Sequence, residues 1–80
     1  MYYVYVLKRP KTNSIYIGYS DNVQRRLKEH IIKDRVKWEL VYFEAYFSEK
    51  DARKREKQLK HYGSSLGHLR KRIYNSIKEL

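Results

Sequence analysis

Tyr5, Tyr16, Arg26, His30 and Glu56 are the residues of this chain whose types and order suit one reaction, the hydrolysis of a phosphodiester. That reaction needs an activated water, neutralisation of charge on phosphorus and a stabilised leaving oxygen, all of which fixed donors and a metal ion assist. Arg26 offers a fork that grips phosphate at two points, which a lysine does less well. His30, four residues on, faces the same cleft if the segment is helical, and near pH 7 its neutral ring can orient water, pass a proton or contact phosphate. A phenol of pKa about 10 is ionised in only about one molecule in a thousand at neutral pH, so Tyr5 or Tyr16 needs a metal or guanidinium beside it to act as a base. One phenol then takes the proton while the other holds water or phosphate.

Glu56 stands four residues after Ala52 and three before Leu59, on the stripe of a helix that should be apolar. A carboxylate there needs a partner. It is read as the ligand of a hard divalent cation, magnesium with manganese as the substitute, which uses one or two carboxylates and keeps water and phosphate on its other positions. The plainer alternative is a half-buried ion pair with Arg53 or Lys60, both at helical spacing.

The elements that must position these residues follow from periodicity. Residues 2 to 8, Tyr-Tyr-Val-Tyr-Val-Leu-Lys, are aromatic and β-branched and read as a strand, as do residues 14 to 19. Pro10, Thr12 and Asn13 give the turn between them, so the pair forms an antiparallel hairpin. A turn centred between Pro10 and Lys11 sets Tyr5 opposite Tyr16 and Tyr3 opposite Gly18, leaving room at Gly18 for close approach. Ser20 or Asp21 caps a helix over 22–32 with Val23, Leu27 and Ile31 as its apolar stripe. Residues 38 to 47 make a third strand. Ser48 with Asp51 resembles a capping box opening a helix that runs to about Tyr62 and stops at Gly63. A third helix, capped by Ser64 or Ser65, carries Leu66, Leu69, Ile73 and Ile77, with fraying expected over 75–80. The expected fold is α+β, order β-β-α-β-α-α, with helices covering a three-stranded antiparallel sheet and residues 1–80 forming one domain.

Eighty residues bury only about 60% of the surface of the unfolded chain, so the core is thin. The absence of cysteine excludes a disulfide framework, a thiolate zinc site and a cysteine nucleophile. No apolar run approaches the roughly 20 residues of a membrane span and no signal-peptide pattern opens the chain, so a cytoplasmic protein without membrane contact is expected. Lys and Arg number 19 against 9 acidic residues, a net charge of +10. A polyanion is the expected partner, bound with displacement of counterions. Exposed Tyr62 or Tyr74 serves an interface or is plain surface, and oligomeric state is left open.

Taken together, Tyr3-Val4-Tyr5 and Tyr16-Ile17-Gly18, with Arg26, His30 and Glu56 following in order, resemble the GIY-YIG nucleases over Tyr3 to about Ile73. The likeness is greatest to small stand-alone bacterial members and to the nuclease domain of excision-repair enzymes. It implies a one-metal magnesium-dependent endonuclease acting on DNA, with a place in DNA repair. Glu56 would be the metal ligand, Arg26 would lie on the scissile phosphate and a tyrosine would be general base, with Gly18, Tyr19, Arg25 and Lys60 contacting nucleic acid. The chain departs from the pattern at Tyr3, where the first glycine belongs, at Tyr19, where some members carry lysine, and after Glu56, where Asn75 is a poor match for the later asparagine. Duplex, branched and single-stranded DNA are all open as substrates, and a specificity-giving protein partner is expected in place of an added binding domain. Two other classes remain: a nucleic-acid-binding module that keeps the fold without cleaving, and an RNA platform built on exposed sheet aromatics.

Overall fold

The computed structural model describes residues 1–78. Its strands β1 (Tyr2–Lys8), β2 (Ile15–Ser20) and β3 (Glu39–Tyr46) form one antiparallel sheet in the order β2-β1-β3, so the first strand is central. That explains its unbroken apolar run: Val4, Tyr5, Val6 and Leu7 are fully buried because both faces of a central strand are covered. The helices are α1 (Val23–Asp34), α2 (Glu49–His61), α3 (Gly63–Arg72) and α4 (Tyr74–Lys78). Val4, Val6 and Ile17 on one face pack with Ala52 and Leu59 of α2, Leu69 of α3, Ile73, and Ile77 of α4. The opposite face carries Tyr5, which meets α1 at His30.

The hairpin register differs from the expected one by two residues. Tyr5 lies opposite Gly18, Leu7 opposite Tyr16 and Tyr3 opposite Ser20. The turn is built one residue later than its composition suggests: Thr12 N–H bonds to Arg9 O at 3.3 Å, and Arg9 N–H reaches across to Ser14 O at 3.0 Å. Because side chains alternate with period two, a shift of two keeps Tyr5 and Tyr16 on one face, now as diagonal neighbours.

Helix ends also differ in detail. Asn22, not Ser20 or Asp21, caps α1, its side chain accepting from Arg25 N–H at 3.0 Å, while Ser20 Oγ accepts from Asn22 N–H at 2.9 Å. The helix runs two residues past Ile32, to Asp34, whose carboxylate is tied to Trp38 Nε1 at 3.0 Å. Ser48 starts α2 through its backbone carbonyl alone, without the side-chain bond of a capping box. Gly63 does not stop a helix but begins α3; extended Tyr62 ends one helix and opens the next, its carbonyl accepting from Ser65 and Leu66, so neither Ser64 nor Ser65 is the cap. The third expected helix is broken at Ile73 into α3 and α4. Steps of four advance about 40° round a helix, so a straight one would swing Ile77 about 80° from Leu69. The break lets Leu69, Ile73 and Ile77 all stay buried. Of the segment expected to fray, 74–78 is helical, and residues 79 and 80 lie outside the described residues.

Candidate active site

The fold gathers the five residues that sequence order alone scatters over half the chain. Tyr5 and Tyr16 project from one face of the hairpin with ring centroids 6.3 Å apart. Helix α1 lays His30 against both: the Tyr5 hydroxyl is 3.1 Å from His30 Nε2, and the Tyr16 and His30 rings are 4.5 Å apart. Arg26, one turn earlier, reaches the same phenol oxygen and also pairs with Glu29 at 3.0 Å. Helix α2 brings Glu56 and Lys60 to the β2 side, with Lys60 Nζ 5.5 Å over the Tyr16 ring and 3.2 Å from Glu56 Oε2. So the ion pair allowed by the sequence does form, with Lys60, whereas Arg53 turns to Glu49 instead.

Burial of the Tyr5 phenol pushes its pKa up, and the nearby charges of Tyr16 and Glu56 act in the same direction. Arg26 pulls it down by hydrogen bond and charge but does not win. The guanidinium thus eases ionisation of this phenol in the expected direction, but burial outweighs it. His30 moves the other way: burial and the charge of Arg26 hold its pKa below the usual value, outweighing Asp34. Since guanidinium can only donate, Arg26 points a proton at the Tyr5 oxygen, and the phenol directs its own proton to Nε2 of a neutral ring. The ring proton is then on Nδ1, the side on which Asp34 Oδ2 lies 3.9 Å away.

Asp34 and Trp38 were not singled out in the sequence. Trp38 holds Asp34 and packs on Tyr16, ring centroids 6.5 Å apart, so the pair braces the far side of His30. The i+4 spacing from His30 to Asp34 was the available signal. A hollow of about 180 Å³ lined by Tyr16, Arg26, Glu29, His30, Lys33 and Asp34 opens beside this cluster.

The expected nucleic-acid contacts divide. Gly18 is buried, and what approaches it is Tyr5: a Cβ there would lie 2.9 Å from the ring Cε1 and closer still to the phenol oxygen. Tyr19 stacks near Tyr2, donates to Glu49 and lies under Arg53. Arg25 is exposed and paired with Asp21 at 2.9 Å. Lys60 stands inside the cluster.

Among the described residues no group of three or more histidine, aspartate or glutamate side chains converges on a point. Glu56 fits a hard cation that takes one carboxylate and keeps most of its water: its carboxylate is half-buried, its charge is felt at the Tyr5 phenol, and its ion pair is with a lysine. No helix among the described residues is long and apolar enough to cross a membrane.

A tyrosine-bearing hairpin, an Arg/His helix and a Glu helix together make the arrangement expected of a nuclease domain. A family profile described as the GIY-YIG catalytic domain matches residues 1–75, and the chain belongs to that family. It is similar to the UPF0213 protein CPE1444 of Clostridium perfringens, at 36% identity over 75% of this chain and 71% of the relative. It is also similar to the UPF0213 protein SH2523 of Staphylococcus haemolyticus, at 38% identity over 74% of this chain and 79% of the relative. No solved structure matches this chain.

Proposed function

We propose that this protein is a divalent-metal-dependent endonuclease that hydrolyses DNA phosphodiester bonds, with Tyr5, Tyr16, Arg26, His30 and Glu56 as its site. The observation that carries the reading is the Tyr5 hydroxyl held 3.1 Å from His30 Nε2 within reach of Arg26. A phenol whose pKa is raised is a poor phenolate at neutral pH, but it does not need to ionise in advance. As it accepts a proton from water it can pass its own to His30, so the pair acts as the general base through a neutral phenol. Tyr16, half-buried at the mouth of the hollow, holds water or phosphate by its hydroxyl. Arg26 grips the phosphate, trading its contact with Glu29 for charge that develops in the transition state. A magnesium ion, or manganese in its place, bound by Glu56 would neutralise the phosphate and stabilise the leaving oxygen. With Glu56 turned to the metal, Lys60 would contact the substrate backbone, with Tyr19 and Arg25 beyond it. The net charge of +10 supplies the attraction. A protein partner that adds specificity, work in DNA repair and a cytoplasmic location accord with this reading.

The test is incubation of purified protein with labelled single-stranded, duplex and branched DNA, with magnesium, manganese or chelator. Glu56→Gln should lower metal-dependent cleavage by at least about 100-fold with the thermal midpoint little changed. Tyr5→Phe should cost about 100-fold or more, the low end of what a positioned proton acceptor contributes. Undiminished cleavage by Glu56→Gln would sink the mechanism. Tight, salt-sensitive binding with no cleavage under any metal would instead identify a binding module on the nuclease fold.

A further inference from the structure

The basic surplus of this chain is not spread evenly once ion pairs are drawn. Around the candidate active site Arg25, Arg26, Arg53 and Lys60 each hold a carboxylate at 2.9–3.5 Å, as Arg55 does between β3 and α2. One hollow, of about 570 Å³, is of a different kind. It lies between the β1–β2 turn and α3–α4, where Lys11, Thr12, Asn13, Arg70, Tyr74 and Lys78 surround it, over a floor that includes buried Lys8 and Ile77. No described carboxylate lines it. Tyr74 is 59% exposed, with Lys78 Nζ 5.7 Å from its ring centroid.

We infer that this hollow is a second nucleic-acid site, which takes a single-stranded segment of the substrate by its phosphates and one base. The inference rests on the nuclease reading above for its choice of polyanion. Lys11, Arg70 and Lys78, beside amide and hydroxyl donors and with no carboxylate among the described lining residues, suit phosphate oxygens, and an exposed aromatic at their edge suits a stacked base. Geometry selects a single strand over a duplex. Lys8 and Ile15 stand opposite one another at the end of the hairpin, and strand alternation points them away from the face that carries Tyr16 and Leu7. A substrate touching both sites must turn round the hairpin end of a molecule only 19 Å through its thinnest axis. Duplex DNA stays straight over about 150 base pairs and cannot do so cheaply, whereas a single strand can. The fitting substrate is therefore a single strand or a duplex bearing a single-stranded arm.

The turn supplies a variant that separates binding from folding. Arg9 to Thr12 forms a turn with Pro10 second and Lys11 third, and Lys11 takes φ 64°, the left-handed region that favours glycine. Lys11→Gly removes a charge while easing the backbone. Anisotropy of a labelled oligothymidine, of a duplex with an oligothymidine arm and of a blunt duplex, all in chelator across a salt series, tests the site. The double variant Lys11→Gly/Arg70→Gln should bind the first two at least about tenfold more weakly, with a log–log salt slope shallower by about 1.4 from two lost single-strand phosphate contacts. Tyr74→Ala should weaken the same two by about fivefold or more, and Tyr74→Phe should not. The blunt duplex should be nearly unaffected. Unchanged affinity and slope on oligothymidine would overturn the site, and an equal loss on the blunt duplex would overturn its assignment to a single strand. Binding in chelator does not depend on cleavage, so a protein that binds through this hollow and never cleaves would refute the nuclease reading alone.

Discussion

His30 gives the residue scale its sharpest test, because its pKa is lowered by burial and by Arg26. In the unfolded chain a histidine takes up a proton near pH 6.5, while in the folded protein it resists until a lower pH. The unfolded state thus binds more protons in that window, and stability rises with pH through it and falls as the pH drops below about 6.5. Cleavage should follow the same sense, since only the neutral ring accepts the Tyr5 proton. We expect an acid limb in kcat below about pH 6.5 that is matched by the His30 ring titration in NMR; a limb that persists unchanged in His30→Gln would assign it to another group. Glu56 and Lys60 set a second balance at this scale. Their 3.2 Å contact satisfies the carboxylate, so the proposed metal would have to compete with the lysine for one group.

At the scale of elements, the hairpin is the part on which the site depends. Gly18 faces Tyr5, and no side chain fits between them. Gly18→Ala should therefore destabilise the protein by about 1–3 kcal/mol, the usual cost of overpacking, and should displace the phenol from His30. Chemical denaturation combined with cleavage assays checks this; a stable Gly18→Ala protein with full activity would show that the close approach is not required. The α1 helix matters in a different way. Its extension to Asp34 gives His30 a brace that a helix ending at Ile32 would lack.

At the scale of the whole molecule, a half-buried polar cluster fastens β3 to α2. Glu44 accepts from Arg55 Nε at 2.9 Å and Nη2 at 3.0 Å, from Tyr42 at 2.7 Å and from Tyr46. Burial alone would raise the carboxyl pKa, but Arg55 and the two phenols outweigh it and hold Glu44 below the usual range. Burial, and then the bond to the same carboxylate, push Tyr42 and Tyr46 up to about 12. Because the folded pKa of Glu44 is depressed, its contribution is complete above about pH 4.3 and is lost as the pH falls through the folded value. Glu44→Ala should cost about 3 kcal/mol near neutral pH, since it strands Arg55 and two hydroxyls. Its stability should also fall less than that of the parent at acid pH. Equal acid sensitivity in urea melts of both proteins would place the titrating group elsewhere. In so thin a core, that loss is a large part of the total.

The sequence by itself determined the element types and order, the three-stranded sheet and the family, because these follow from local periodicity and from residue types at fixed order. The aromatic and β-branched run of Tyr2–Lys8 and the four-residue steps through Val23, Leu27 and Ile31 are carried by neighbours in the chain. It also put Tyr5 and Tyr16 on one face, since parity survives a two-residue slip. Only the tertiary structure decided the register, which rests on a turn closed by Arg9, Thr12 and Ser14, and the break at Ile73, which answers to the sheet that Ile77 must reach. It alone raised the Tyr5 pKa and lowered that of His30, because desolvation is set by what packs around a group and not by the residues beside it in sequence. The choice of Lys60 over Arg53 for Glu56, and the hollow between the hairpin and α3–α4, likewise come from distances between elements that no spacing along the chain encodes.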